Sequence, residues 1–232
     1  VSGAASAISG PYEGLVLDMD GVIVDTPALH RRVWSEFIDS APWPEIHERR
    51  PGAVGRRSKD VLSELLSARL SETEIDGIVA GLHARFLDLA SARDTVFPAM
   101  RSLIRELSGT VPLAIATSAP SHVARTLLGD LFFSVDVAIT SDDCRKGKPN
   151  PEVYLRARRA LGLEEESVLV IEDTGIGVRS GIAASCDVWA IAVEPVTASA
   201  CHEAGASVVT RDAEAMASLV SAHFSIAARR FG

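Results

Sequence analysis

The chain has 232 residues, 47% of them hydrophobic, and a formal net charge of −8. That length accommodates one large domain or two modest ones, and the apolar share is that of a globular protein with a sizeable core. The acidic balance excludes nucleic acid as the main partner, since a phosphate backbone calls for a basic face, and no apolar run approaches the ~20 residues that span a bilayer.

In chain order, the small, uncharged stretch Val1 to Pro11 reads as part of a loose tail, residues 1–12, and not as a secretory signal. Leu15-Val16-Leu17 then reads as a buried strand, near 14–18, that ends in Asp18-Met19-Asp20-Gly21. From Pro27 the pattern turns helical, with Leu29, Val33, Trp34, Phe37 and Ile38 at helical spacing. A turn region rich in Pro, Trp and Gly is expected from Ala41 to Gly55. Ser58 is expected to cap a helix carrying Val61, Leu62, Leu65 and Leu66, and Ser71 to Glu74 has the capping-box form before a further helix. No strand signal appears between about 27 and 94.

After Pro98 the rhythm alternates. Helix 100–107 precedes strand 112–116, helix 122–128 precedes strand 135–139, helix 151–161 precedes strand 167–171, and helix 177–184 precedes strand 188–193. A short strand at 207–209 and an amphipathic helix near 212–224 close the chain. Alternation of this kind implies an α/β fold with a doubly wound parallel sheet. The first strand must join that sheet, so 27–94 reads as an all-helical insertion into a Rossmann-like core formed by 13–26 and 95–232.

The chemistry gathers at strand ends, where open α/β sheets bind their ligands. Asp18 and Asp20 sit at i and i+2, so both carboxylates face one side. Two acids crowded there call for a cation, a shared proton, or both. Glu172-Asp173 ends another strand and makes a second acidic pair, and together the pairs suit a hard oxygen-seeking ion, Mg²⁺ before Ca²⁺ if phosphate is the co-ligand. Thr117-Ser118 follows a third strand, as hydroxyl and backbone donors for an anion or as a helix cap. The only lysines are Lys59, Lys146 and Lys148. Lys148, just before a proline-started helix, reads as a compact point charge that arginine would not replace. The cysteines Cys144, Cys186 and Cys201 are odd in number and widely spaced, without a zinc or disulfide signature, and point to a reducing cytoplasm.

Asp18-Met19-Asp20-Gly21-Val22, Thr117-Ser118, Lys148-Pro149 and Glu172-Asp173, in this order, resemble the four motifs of the haloacid dehalogenase superfamily. Gly147 to Pro151 and Glu172 to Gly177 resemble its phosphatase and β-phosphoglucomutase branch. The resemblance spans about 14 to 210 and implies a Rossmann-like core with a helical cap. It also implies that Asp18 attacks phosphorus and forms an aspartyl-phosphate, while Asp20 acts as general acid and base. Asp20 then needs a raised pKa or close approach to the leaving group. Mg²⁺ is implied on the Asp18 carboxylate, the Asp20 carbonyl and Asp173, supported by Glu172, with Thr117, Ser118 and Lys148 around the phosphoryl oxygens. The presence of Asp20 argues against carbon–halogen cleavage.

The expected substrate is a small phosphorylated metabolite, a sugar phosphate being favoured, and the expected assembly a monomer or homodimer. Thr26 and His30 resemble the cap hinge, where a histidine contacts the general acid, or are simply polar residues on the first cap helix. Gly55-Arg56-Arg57-Ser58-Lys59 resembles the specificity loop. Arg56 and Arg57 could bind sugar hydroxyls or a second phosphate, or be solvated charges. The mutase of this branch has a lysine before the loop glycine and an arginine three residues after it. Here those positions hold Val54 and Ser58, which disfavours the mutase. A phosphonatase needs a cap lysine in a desolvated pocket, for which Lys59 has no evident setting. Ala99 replaces a glycine common after Pro98 in relatives and bears on a linker only. A non-catalytic binding protein on this scaffold is the remaining alternative, disfavoured because all four motifs are intact.

Overall fold

Residues 12–49 and 55–231 are described by a computed structural model. Most of the expected tail and Val54 lie outside them. Tyr12, placed in that tail by the sequence, is buried; its hydroxyl donates to Asp187 and its ring meets Trp189 edge-on.

Six parallel strands form one sheet: β1 (Gly14–Leu17), β2 (Leu113–Ala116), β3 (Val137–Ile139), β4 (Val168–Glu172), β5 (Asp187–Ile191) and β6 (Val208–Thr210). Their order, β3-β2-β1-β4-β5-β6, reverses direction at β1, so the crevice beyond the carboxyl ends of β1 and β4 is the switch point of the fold. Side chains alternate across the sheet. Leu15, Leu17, Ile115, Leu169 and Trp189 pack on one face, Val16, Ala114, Val168, Val170 and Val188 on the other. Both faces are covered, hence the near-continuous apolar runs at the strands.

The helices are α1 (Pro27–Ser40), α2 (Pro44–Arg49), α3 (Ser58–Leu66), α4 (Glu72–Ala90), α5 (Pro98–Leu107), α6 (Ser121–Leu128), α7 (Glu152–Leu161), α8 (Gly175–Ala183), α9 (Pro195–Glu203) and α10 (Ala213–Phe231). Helix α5 buries Met100, Leu103, Ile104 and Leu107 at i, i+3, i+4 and i+7. Both bonds of the expected capping box at the start of α4 are present: Glu74 N–H donates to Ser71 Oγ at 3.3 Å, and Ser71 N–H to Glu74 Oε2 at 2.8 Å.

Three local expectations need correction. The segment read as turn contains α2, whose Ile46 is fully buried. Ser58 begins α3 instead of capping it, and Arg57 at the cap position makes no side-chain capping bond. The connection after β5 carries α9, whose sequence of small residues buries only Cys201 and shows no apolar stripe.

Helices α1 to α4 share an apolar cluster around Val33, Trp34, Leu62, Leu66 and Phe86 that also takes in Val123 of α6. The two links between these inserted helices and the sheet run side by side: Asp25 N–H donates to Thr95 O at 2.8 Å and Phe97 N–H to Ile23 O at 2.9 Å.

Candidate active site

A buried lysine sits at the switch point. Lys148 Nζ lies 2.5 Å from Asp18 Oδ1 and 2.7 Å from Glu172 Oε1, and donates to the Ala116 carbonyl at 3.3 Å. All three charged side chains are almost solvent-free, with 2%, 8% and 1% exposure for Lys148, Asp18 and Glu172. Burial and mutual repulsion would force such carboxylates to neutralise without the cation between them. Lys148 itself is held above its ordinary range: burial opposes its charge, but Asp18 and Glu172 outweigh that.

Glu172 is the most completely engaged acid. Oε1 also accepts from the Tyr154 hydroxyl at 2.6 Å, and Oε2 accepts from the backbone N–H of Asp173 at 2.9 Å and Thr174 at 3.1 Å. Against the cost of burial, Lys148 and these donors hold it below the usual carboxylate range. Asp173 differs: its carboxylate accepts no hydrogen bond from the described residues. Burial, then the charges of Glu172, Asp18 and Asp20, push it well up. Asp18 is pushed up to about 7, chiefly by burial, with Lys148 opposing and Glu172 and Asp20 adding to the rise.

One carboxylate oxygen each from Asp18, Glu172 and Asp173 lie within 4.8 Å of one another. An all-oxygen donor set with an unpartnered carboxylate fits a hard divalent cation. Since both Glu172 oxygens are already engaged, Asp18 and Asp173 are the better direct ligands, with Glu172 orienting them. Two glycines make room. A Cβ on Gly21, at φ +76°, would stand 2.0 Å from Asp173 Oδ2, and one on Gly177 1.7 Å from Glu172 Oε1.

The carboxylate of Asp20 lies outside that cluster. Its Oδ1 accepts from Thr26 Oγ1 at 2.5 Å and lies 2.9 Å from His30 Nε2. Burial would raise its pKa, but His30 and Thr26 outweigh burial and lower it, so a raised pKa is not what would equip Asp20 as an acid. His30 moves up in return, Asp20 outweighing its own burial, and its ring stacks on Phe86 with centroids 4.2 Å apart. Thr117, buried after β2, accepts from Ala119 N–H at 3.0 Å, and Ser118 Oγ donates to Gly55 O across to the inserted helices at 3.1 Å.

The expected specificity loop divides. Arg56 lines the cavity that Asp18, Asp20 and Lys148 also line but is paired with Glu64 at 2.7 Å. Arg57 does not line it: it forks onto Asp60 and donates to the carbonyls of Cys144 and Arg145 at 2.8 and 2.9 Å, tying α3 to the loop before Lys148. Lys59 lies outside the cavity, paired with Glu72 and Asp76 at 2.9 and 2.8 Å. Two residues that sequence reasoning missed belong to the site. Tyr154 is one helical turn into α7 and offered no signal beyond an apolar-face position. His83 is an isolated histidine on α4, nine residues past Glu74 of the capping box, and lines the cavity with Asp18, Asp20 and Lys148. That cavity encloses about 60 Å³. A wider groove of about 780 Å³ adjoins it between the inserted helices and the core.

The sequence profile of the haloacid dehalogenase-like hydrolases matches residues 12–185. The chain belongs to that family. It is 31% identical over 180 residues to the validoxylamine A 7'-phosphate phosphatase of Streptomyces hygroscopicus subsp. limoneus, covering 74% of this chain and 83% of that one. It is 29% identical over 181 residues to the phosphorylated carbohydrates phosphatase of Thermotoga maritima, covering 75% and 82%. The β-phosphoglucomutase of Clostridium difficile has the same fold, with a TM-score of 0.74 at 18% identity over 92% of this chain and 97% of that one. This haloacid dehalogenase-like chain is therefore an enzyme, of the branch that contains phosphatases and phosphomutases. Among its described residues no helix is long and apolar enough to cross a membrane.

Proposed function

We propose that the protein is a Mg²⁺-dependent phosphatase that hydrolyses a small phosphate monoester, a sugar or polyol phosphate, through an aspartyl-phosphate on Asp18. The observation that carries this reading is the buried Asp18–Lys148–Glu172 bridge beside an Asp20 held by Thr26 and His30. The two relatives named as phosphatases of carbohydrate-like phosphates support the substrate class.

Asp18 attacks phosphorus with the oxygen that Lys148 does not engage, and Lys148, Thr117 and the Ser118 backbone take up charge on the phosphoryl oxygens. Asp20 hands a proton to the leaving oxygen and then takes one from the hydrolytic water. His30, 2.9 Å away, is placed to resupply it. Asp18 and Asp173 would hold Mg²⁺, with Glu172 behind them. When bound, the ion supplies the positive charge that keeps these buried carboxylates ionised and draws in the phosphoryl group. Residues 27–94 act as a cap. A cavity of about 60 Å³ is far below the ~300–1,000 Å³ of ordinary ligand pockets, so the cap must lift for a sugar phosphate to enter. Its closure then excludes water.

The pairing of Arg56, Arg57 and Lys59 with cap acids favours hydrolysis over the mutase reading, because a mutase needs an unpaired cap cation for its second phosphate. A screen of phosphorylated metabolites for phosphate release, with and without Mg²⁺, tests the proposal. Turnover that needs Mg²⁺ and is abolished by Asp18→Asn supports it. Phosphate release unaffected by Asp18→Asn, or conversion of β-glucose 1-phosphate to glucose 6-phosphate without free phosphate, refutes it.

A further inference from the structure

We infer that His83 reads the leaving group through its ring nitrogens and selects a hydroxyl-bearing leaving group over one that carries a second anionic group. The inference rests on the phosphatase reading above and names a residue that determines its specificity.

His83 lines the cavity that holds Asp18, Asp20 and Lys148, yet it makes no hydrogen bond to any described residue. The neighbouring polar side chains of the cavity are differently placed. His30 is engaged by Asp20, Arg56 by Glu64 and Ser118 by the Gly55 carbonyl. Among the described residues, Ser58 and Trp34 of the inserted helices also line this cavity without a side-chain hydrogen bond. An imidazole left without a partner at a cavity wall is available to a ligand.

Its protonation state decides which ligand. Burial, then the nearby rings of His122 and His30, push His83 down to about 4, with Asp142 and Asp20 opposing. The ring of His122 lies 5.8 Å away, so a charge on one would repel a charge on the other. At neutral pH His83 is then one donor and one acceptor, which matches a hydroxyl and gives an anion no counter-charge. Of the cations that line the adjoining groove, Arg57 is paired with Asp60 and Lys59 with Glu72 and Asp76, and Arg145 comes from the core side.

His83, Ser58 and Ser118 also line the adjoining groove of about 780 Å³. His83 therefore stands between the phosphoryl site and an adjoining space large enough for a carbohydrate-sized leaving group. A polyol running from the phosphate into that groove passes the imidazole.

The test uses the full chain with Mg²⁺ and three substrates: p-nitrophenyl phosphate, whose leaving group bears no alcohol hydroxyl, the preferred monophosphate found by the metabolite screen, and fructose 1,6-bisphosphate. His83→Phe should raise KM for the preferred monophosphate about tenfold, the loss of roughly one hydrogen bond, with little change in kcat. For p-nitrophenyl phosphate the rise in KM should be at least about threefold smaller on the same scale. His83→Gln, which keeps a donor and an acceptor, should recover most of the affinity. His83→Lys should move the kcat/KM ratio toward the bisphosphate. The inference is overturned if His83→Phe leaves KM for the monophosphate unchanged, if it damages both esters equally, or if the wild type already prefers the bisphosphate. Failure of the wild type to hydrolyse any ester strikes at the phosphatase reading itself and removes this inference with it.

Discussion

The inserted helices and the sheet core hold charge in opposite ways. In the core, Lys148, Asp18 and Glu172 are buried together, and Lys148 is the charge that favours ionisation of both carboxylates, which repel each other. On the inserted helices several ion pairs lie at the surface: Glu36 is 40% exposed between Arg32 and Arg85, and Lys59 is 43% exposed between Glu72 and Asp76. Exposed pairs are worth little because water competes for both partners, whereas removal of one partner of a buried pair leaves a charge without compensation. Loss of one charge is therefore expected to matter far more in the core than on the outer surface of the inserted helices.

Lys148→Met attacks this contrast at its strongest point. It should destabilise the metal-free protein by about 3–5 kcal/mol in urea unfolding and lower kcat by about 10²–10³-fold. A loss near zero would mean that the buried bridge is no different from a cap surface pair. Thr26→Val comes next. It removes the 2.5 Å bond to Asp20 at a fully buried hydroxyl. Hydrogen bonds to charged groups are worth about 1.5–3 kcal/mol, so kcat should fall by roughly ten- to a hundredfold while phosphate affinity holds.

His83 gives a smaller, pH-dependent effect within the cap. Its pKa is lower in the folded than in the unfolded protein, about 4 against 6.5. The unfolded chain therefore takes up the proton first, and the contribution of His83 to stability is complete above 6.5 and lost as pH falls toward 4. His83→Gln should flatten the decline of the thermal midpoint between pH 7 and 5, measured by circular dichroism. Glu36→Gln should do least. Hydrogen bonds from Arg85 and Arg32 hold Glu36 at about 2, so its stabilisation is present above about 4.5 and vanishes as pH drops to 2. The difference from wild type should be slight at pH 7 and disappear in high salt. Activity should not change.

Legibility in the sequence followed the range of the interaction. The strands and α5 were visible because burial on a sheet face or a helical stripe imposes a period on neighbouring residues. Helix α9 was not, since Pro195–Glu203 is built of small residues that pack against α8 without a stripe. Helix α2 was hidden by its six-residue length and the prolines around it. Within the site, the strand-end acids were readable from their spacing. The donation of Tyr154 to Glu172, the orientation of Arg57 away from the cavity and the place of His83 in its wall were not.

By itself the sequence determined the sheet, the helical insertion and the acids at the strand ends, because alternation, capping and turn chemistry act within a few residues. Only the tertiary structure decided which charges meet: Lys148 reaches Asp18 across 130 positions and Glu172 across 24. It also decided the fate of three similar cap residues, pairing Arg56 with Glu64, turning Arg57 onto the core loop and leaving His83 without a partner. The physical reason is that burial and hydrogen-bond satisfaction are properties of packed neighbours, and the chain brings those neighbours together only when it folds.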